Sequence, residues 1–182
     1  MRMKRIAYIL LFSLLLVSCG TRSGYFKMEG RFLHMNQGEL YVYSPDGGIA
    51  GLDTIKIEAG RFSYEKPCSK PSTLIIIFPN YSTQPIFAES GEAVEVKADA
   101  SHLKEMEVEG TEDNELMTKF RKQIASVSPP EELKYAIAFI KDHSESAVSA
   151  YLLNRYLVQT ESPDYKQAAK LLPLLIKEQP DN

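Results

Sequence analysis

The chain has 182 residues, of which 44% are hydrophobic and 25% charged, and these proportions are those of a folded globular protein rather than a disordered one. A formal net charge of −3 without a cluster of basic residues in the body of the chain argues against nucleic acid as a partner. The three histidines, at positions 34, 102 and 143, are too far apart for a zinc motif, so no metal site, cofactor or catalytic residue is predicted.

The first nineteen residues are typical of an export signal. Three basic residues within the first five precede an apolar run over residues 6–17, which is too short for a stable membrane-spanning helix but suits a signal peptide. Leu16-Val17-Ser18-Cys19 follows and resembles the lipobox of bacterial lipoproteins, which implies cleavage after residue 18 and lipidation of Cys19. We therefore expect residues 1–18 to be removed and the mature chain to be held at a membrane by the acyl chains on Cys19.

The predicted mature chain has 164 residues, enough for one ordinary domain or two small ones. It keeps 18 basic residues against 24 acidic ones, a formal net charge of −6. Residues 19–24 are small or polar and predict a flexible tether. Gly20 stands where an aspartate would, by resemblance to enteric lipoproteins, favour the inner membrane, and no acidic export signal follows. We expect the periplasmic face of the outer membrane.

Residues 25–64 show the alternation of half-buried strands. Apolar residues at 26, 28 and 32 alternate with charged ones, and an aromatic and β-branched segment follows at 39–43. The turn residues at 36–38 predict that these two strands form a hairpin. A second hairpin is predicted around Ala59-Gly60, because glycine supplies the positive φ that so tight a connection needs.

The pattern continues to residue 110. The apolar run at 74–78 predicts a central strand covered on both sides, and further strands are predicted at 85–88, 94–98 and 105–108. Seven or eight short strands with regularly spaced turns predict an all-β sandwich of antiparallel strands. The residues predicted to form its core are Ile55, Ile57, Phe62, Ile75, Ile77, Val94 and Val96.

After Gly110 the hydrophobic period changes from 2 to 3.6, which indicates helices. The predicted starts are Thr111, Ser128 with its capping-box glutamate, Ser144 or Ser146, and Ser162-Pro163-Asp164. Pro173 is predicted to kink or end the fourth helix. We therefore predict a β-sandwich domain at 25–110 and a small helical region at 111–182, packed on itself or on the sandwich.

Four segments carry a family resemblance: residues 26–32, the hairpin at 52–62, Phe87-Ala88-Glu89-Ser90-Gly91-Glu92 and Val108-Glu109-Gly110-Thr111. Together they resemble an N-terminal domain of unknown function found in Bacteroidota-type lipoproteins. In many of those proteins the domain precedes a thioredoxin-like module of the alkyl-hydroperoxide-reductase and thiol-specific-antioxidant type, and residues 139–153 are similar to the linker between the modules. This chain has no Cys-x-x-Cys and ends about where that module would begin, so we expect the module to be absent.

Cys68 is the remaining thiol once Cys19 is lipidated, so no disulfide can form within the mature chain. It lies between Lys66 and Lys70, whose charges would lower its pKa and favour the thiolate. One interpretation is a redox thiol that forms mixed disulfides with a partner. The other is a small residue packed in a loop between strands.

Tyr41 and Tyr43 in the second strand and Tyr81 in a turn are the candidate ligand contacts, because exposed aromatic rings stack on sugars or peptides. The alternative is that they cover the second face of the sheet beneath the helices. The carboxylates at 89, 92 and 95 do not form a paired catalytic arrangement and are interpreted as a solvated edge.

Two functions are consistent with these observations. The first is a non-catalytic, membrane-anchored envelope lipoprotein that binds a protein or a small ligand. The alternative is an accessory component of periplasmic thiol-disulfide exchange, which would act through Cys68 or together with a separate thioredoxin-like protein.

Overall fold

The computed structural model describes residues 21–179, so the predicted signal peptide and the lipidation site at Cys19 lie outside the described residues. The predicted order of an all-β part followed by helices is confirmed. The eight strands are β1 (Tyr25–Leu33), β2 (Gln37–Tyr43), β3 (Leu52–Glu58), β4 (Arg61–Pro67), β5 (Ser72–Ile77), β6 (Thr83–Ala88), β7 (Ala93–Asp99) and β8 (Glu107–Glu109). A short 3₁₀ turn, Leu103–Glu105, precedes β8.

The strands form one sheet in the order β6-β5-β2-β3-β4-β1-β7-β8. Neighbouring strands are antiparallel except for β1 and β7, which are parallel. The predicted hairpin of the first two strands is wrong, because β1 pairs with β4 and β7 whereas β2 pairs with β3 and β5. The link between β1 and β2 wraps the tip of the β3–β4 hairpin instead: the amide of Phe32 donates to the carbonyl of Gly60, whose own amide donates to the carbonyl of Asn36.

One face of every strand contributes to a single apolar core. Because residues from both ends of the strand order meet in it, the sheet curves around its own interior like a small barrel or sandwich. Five of the predicted core residues lie there, namely Ile55, Ile57, Phe62, Val94 and Val96. In β5 the inward residues are Leu74 and Ile76, so the assignment of Ile75 and Ile77 to this core is wrong by one residue of register.

Four helices follow: α1 (Glu112–Ile124), α2 (Pro129–Asp142), α3 (Ala147–Leu153), which continues into a π-helical turn (Asn154–Val158), and α4 (Tyr165–Glu178). The predicted caps hold for three of them. Glu131 accepts from the amide of Ser128, Ser146 from that of Val148, and Asp164 from that of Gln167. Pro173 lies inside α4 and does not end it.

The helices bury their own apolar cluster, which reaches the sheet through Phe87 of β6. The helical region therefore packs both on itself and on the sheet, with α1 as the helix in contact with β6 and β8. No helix within residues 21–179 is both long enough and apolar enough to cross a membrane.

The end of the predicted tether makes contacts with the sheet. The carbonyl of Gly24 accepts from the amide of Cys68, at 2.8 Å, and the guanidinium of Arg22 lies 3.7 Å from the centre of the Tyr25 ring. Residues 22–24 thus lead directly into β1.

Candidate functional site

Helix α1 joins the two ends of the sheet. The side chain of Asn114 accepts from the amide of Phe87, at 3.0 Å, and donates to its carbonyl, at 2.7 Å. One helical turn later, the hydroxyl of Thr118 accepts from the amide of Val108, at 2.8 Å, and donates to its carbonyl, at 2.9 Å. Phe87 lies in β6 and Val108 in β8, the two outermost strands of the sheet. Side chains of one helix therefore provide hydrogen-bond partners for backbone groups on both of these strands.

Arg121 continues the same face of α1. Its Nε donates to the side-chain oxygen of Gln84, at 2.8 Å, Nη2 to the carbonyl of Pro85, at 2.9 Å, and Nη1 to the carbonyl of Met106, at 3.4 Å. The residue is only 3% exposed, and none of the described carboxylates pairs with it. Burial lowers the pKa of Arg121 to about 10, so the side chain is a buried cation at neutral pH without a counter-ion from residues 21–179.

A cleft of about 280 Å³ lies beside Arg121, between the start of β6 and the helices. Its charged lining residues are Lys104, Arg121, Arg155 and Glu132, and its aromatic ones are Tyr81, Tyr151 and Tyr156. The carboxylate of Glu132 accepts from the hydroxyl of Tyr156, at 3.2 Å. Three cations against one carboxylate make the cleft locally positive in a chain whose net charge is −3.

Tyr151 connects the cleft to the sheet. Its ring packs edge-on against Phe87, with 6.3 Å between the ring centres. Burial raises the pKa of its phenol, while the charges of Arg155 and Arg121 lower it. The hydroxyl makes no hydrogen bond to another of residues 21–179. The π-helical turn after α3 supplies both Arg155 and Tyr156, and such turns often occur at functional sites.

The three predicted ligand tyrosines are not brought together. Tyr81 lies at the cleft, 88% exposed and with a φ of 63°. Tyr41 and Tyr43 lie on the outer face of β2, opposite Ile77 and Ile75 of β5. They remain 43% and 36% exposed, so the helices do not bury them. Tyr43 is nevertheless close enough to Tyr151 to raise the pKa of its phenol.

Cys68 is buried, with 7% of its surface exposed, and its thiol donates to the carbonyl of Lys70, at 3.2 Å. Burial raises its pKa, and the charge of Glu89 raises it further. The prediction that two lysines lower this pKa is wrong, because both lysine side chains interact with other groups. Lys66 pairs with Asp53, at 2.7 Å, and the amino group of Lys70 donates to the carbonyl of Asp46, at 3.4 Å.

Two of the histidines, distant in sequence, meet at one carboxylate. His34 Nδ1 lies 2.9 Å from Asp99 Oδ1, and His102 Nδ1 lies 3.9 Å from Asp99 Oδ2. Hydrogen bonds from Ser101 and then His34 lower the pKa of Asp99. Because this network is exposed and joins the ends of β1 and β7, we interpret it as structural. Within residues 21–179 no group of three or more His, Cys, Asp or Glu side chains could hold a metal ion.

The comparisons with known proteins concern the sheet and the start of α1. A family model described as Domain of unknown function (DUF4369) matches residues 26–117, which is 92 of the 182 residues. No curated protein and no solved structure matches the chain. The matched segment includes Asn114 and therefore extends beyond the last strand into the helix that joins the two edges.

Proposed function

The chain belongs to the DUF4369 family, and on that premise we propose its function from the site: the protein is a membrane-anchored envelope lipoprotein whose body is a non-catalytic binding module. The binding site is the cleft between β6 and the helices, and the ligand is a small molecule. The observation that carries this proposal is the arrangement of Arg121, Tyr151 and Arg155 around an open cleft at the junction of sheet and helices.

Binding rather than catalysis is supported by the protonation of the groups that line the cleft. Tyr156 is the lining residue whose hydroxyl meets a carboxylate, that of Glu132. Burial and this carboxylate raise the pKa of Tyr156, so the phenol stays protonated and is a poor nucleophile. The buried cation of Arg121 is held by three acceptors on two other segments, which suits a fixed binding surface.

The anchor is proposed from the first nineteen residues. The basic start, the apolar run and Cys19 support a lipidated N-terminus, and β1 begins six residues after Cys19. The body would then lie close to the lipid surface. We propose that it lies on the periplasmic face of the outer membrane. The residue after Cys19 is Gly20, whereas an aspartate at this position favours the inner membrane in enteric lipoproteins.

The test of anchoring uses Cys19→Ala in the native host. The wild-type protein should incorporate radioactive palmitate and should be spared when intact cells are treated with protease. Cys19→Ala should lose the label. A variant that still takes up palmitate would refute the anchor, and digestion of the wild-type protein on intact cells would refute the periplasmic location.

The test of the binding site uses the mature chain with Cys19→Ser, which stays free of lipid. A panel of charged and neutral small molecules is screened for an increase in melting temperature. Ala125→Trp should abolish any increase, because Ala125 lines the cleft at the exposed end of α1. Ser126→Trp is the matched control, since Ser126 is exposed and does not line the cleft. A melting shift that survives Ala125→Trp would place binding elsewhere.

A further inference from the structure

Resting on the proposed function, we infer that the cleft selects an anionic ligand and holds its carboxylate or phosphate group between Arg155, Tyr151 and the buried Arg121.

The charge of the cleft favours an anion. The chain as a whole is acidic, yet Lys104, Arg121 and Arg155 converge on a cleft that contains the single carboxylate of Glu132. That carboxylate accepts from Tyr156 and forms no ion pair with either arginine among residues 21–179. The cleft therefore keeps an excess of positive charge, and part of it is desolvated, where an anion is attracted more strongly than in water.

Arg121 has more N–H donors than its partners use. A guanidinium carries five N–H groups, and Arg121 uses three of them on Gln84, Pro85 and Met106. None of the three acceptors carries a formal charge. Two N–H donors remain, and a buried cation without a counter-ion is stabilised when an anion approaches it.

The hydroxyl of Tyr151 also favours an anion. It is influenced by the charges of both Arg121 and Arg155 and has no hydrogen-bond partner among the described residues. A phenol that lines the same cleft as two guanidiniums finds its best acceptor in an anionic oxygen. Arg155 is exposed and forms no ion pair within residues 21–179, so it is free to close on the ligand from the solvent side.

The probes are benzoate, its neutral counterpart benzamide, and inorganic phosphate, titrated calorimetrically into the mature chain with Cys19→Ser. We expect benzoate to bind at least ten-fold more tightly than benzamide, which corresponds to about 1.4 kcal/mol. Binding should weaken as salt is raised, because the attraction is between charges. If phosphate binds and benzoate does not, the site is specific for phosphate groups. If benzoate binds and phosphate does not, it is specific for carboxylates. Both results support an anionic ligand.

The variants separate the site from general electrostatics. Arg155→Gln should weaken binding of the anion about ten-fold. Tyr151→Phe should weaken it several-fold while keeping the ring contact with Phe87. Arg61→Gln is the matched control, because it removes one positive charge from an exposed position in β4 and should leave the affinity unchanged.

The outcomes distinguish this inference from the proposed function. If neither benzoate nor phosphate binds, but a neutral compound gives a melting shift that Ala125→Trp abolishes, the cleft is a binding site and the anionic class is wrong. If the anions bind equally well to Arg155→Gln, Tyr151→Phe and the wild type, the inference is wrong as well. If neither anionic nor neutral compounds bind, both the anionic class and the proposed binding function are wrong.

Discussion

The hydroxyl of Thr118 in α1 donates to the carbonyl of Val108 in β8 and also accepts from its amide. A single side chain thus does at this edge what the backbone of a ninth strand would do. Asn114 does the same for Phe87 at the opposite edge of the sheet. Exposed strand edges invite pairing with other chains, so α1 protects both of them.

The first prediction concerns this contact. Thr118→Val keeps the shape of the side chain but leaves the amide and carbonyl of Val108 without their partner. We expect a loss of about 1–3 kcal/mol in the free energy of unfolding, measured by urea denaturation. Thr54→Val, on the exposed face of β3, should change the stability by much less. Equal effects of the two substitutions would contradict the role of Thr118.

The second prediction concerns where the folded unit ends. The division at residue 110 stays a prediction, and the contacts of α1 favour a later boundary. A fragment of residues 21–110 loses the partners of Phe87 and Val108, whereas residues 21–125 keep them. We expect the longer fragment to melt cooperatively and the shorter one to melt at a lower temperature or to aggregate, as seen by circular dichroism and light scattering. If the two fragments melt cooperatively at the same temperature, the domain boundary at residue 110 is supported.

The third prediction explains a glycine in β1. A Cβ at Gly30 would lie 2.5 Å from Phe62 Cε1 and 2.7 Å from the carbonyl oxygen of Val96. Gly30→Ala should therefore cost about 1–3 kcal/mol of stability through overpacking. Gly38→Ala is the control, since the nearest atom there, Met35 Sδ, is 3.6 Å away. A Gly30→Ala variant as stable as the control would show that both the Phe62 ring and the Val96 carbonyl can move aside.

The fourth prediction is a pH dependence. Because its pKa is lowered in the folded state, Asp99 contributes stability that is present above the pKa of an unfolded aspartate, about 3.9, and is lost as pH falls through the folded pKa. The melting temperature of Asp99→Asn should thus fall below that of the wild type at pH 7, and the gap should narrow towards pH 3. A gap that stays the same from pH 7 to pH 3 would contradict this contribution of Asp99.

The fifth prediction concerns the redox alternative. Burial and a raised pKa should make Cys68 slow to react with iodoacetamide in the folded protein at pH 7.5 and fast in urea. The mature chain with Cys19→Ser has this single thiol, so the labelling can be followed by mass. Rapid labelling of the folded chain would contradict this prediction and would support Cys68 as a reactive thiol.

Strand alternation was enough to predict most of the sheet, because β1, β3, β4 and β7 each bury every second residue. It failed at β5, because the apolar run over residues 74–78 has no period and Ile75 could not be told from Ile76. The pairing of β3 with β4 was predicted correctly, but the position of β1 in the sheet was not. Turn residues favour neighbours in sequence, whereas Lys27 of β1 lies beside Ala93 of β7.

Of the residues that line the cleft, only Tyr81 was a candidate from the sequence, for a related reason. Asn114, Thr118 and Arg121 are spaced like an apolar stripe, but polar residues in an amphipathic helix ordinarily lie on its solvent side. That spacing of buried polar residues is a usable signal once a helix is known to follow an open sheet. The cleft itself joins segments from Tyr81 to Tyr156, and no local pattern brings them together.

The parallel pairing of β1 with β7 also determines when the fold can form. Their first paired residues, Lys27 and Ala93, lie far apart along the chain, so this pairing requires the closure of a long loop. β1, the strand nearest the proposed anchor, can therefore complete its pairing only after β7 has been brought next to it. Chains dominated by such distant contacts refold slowly, on the order of milliseconds to seconds, and we expect this one to do the same.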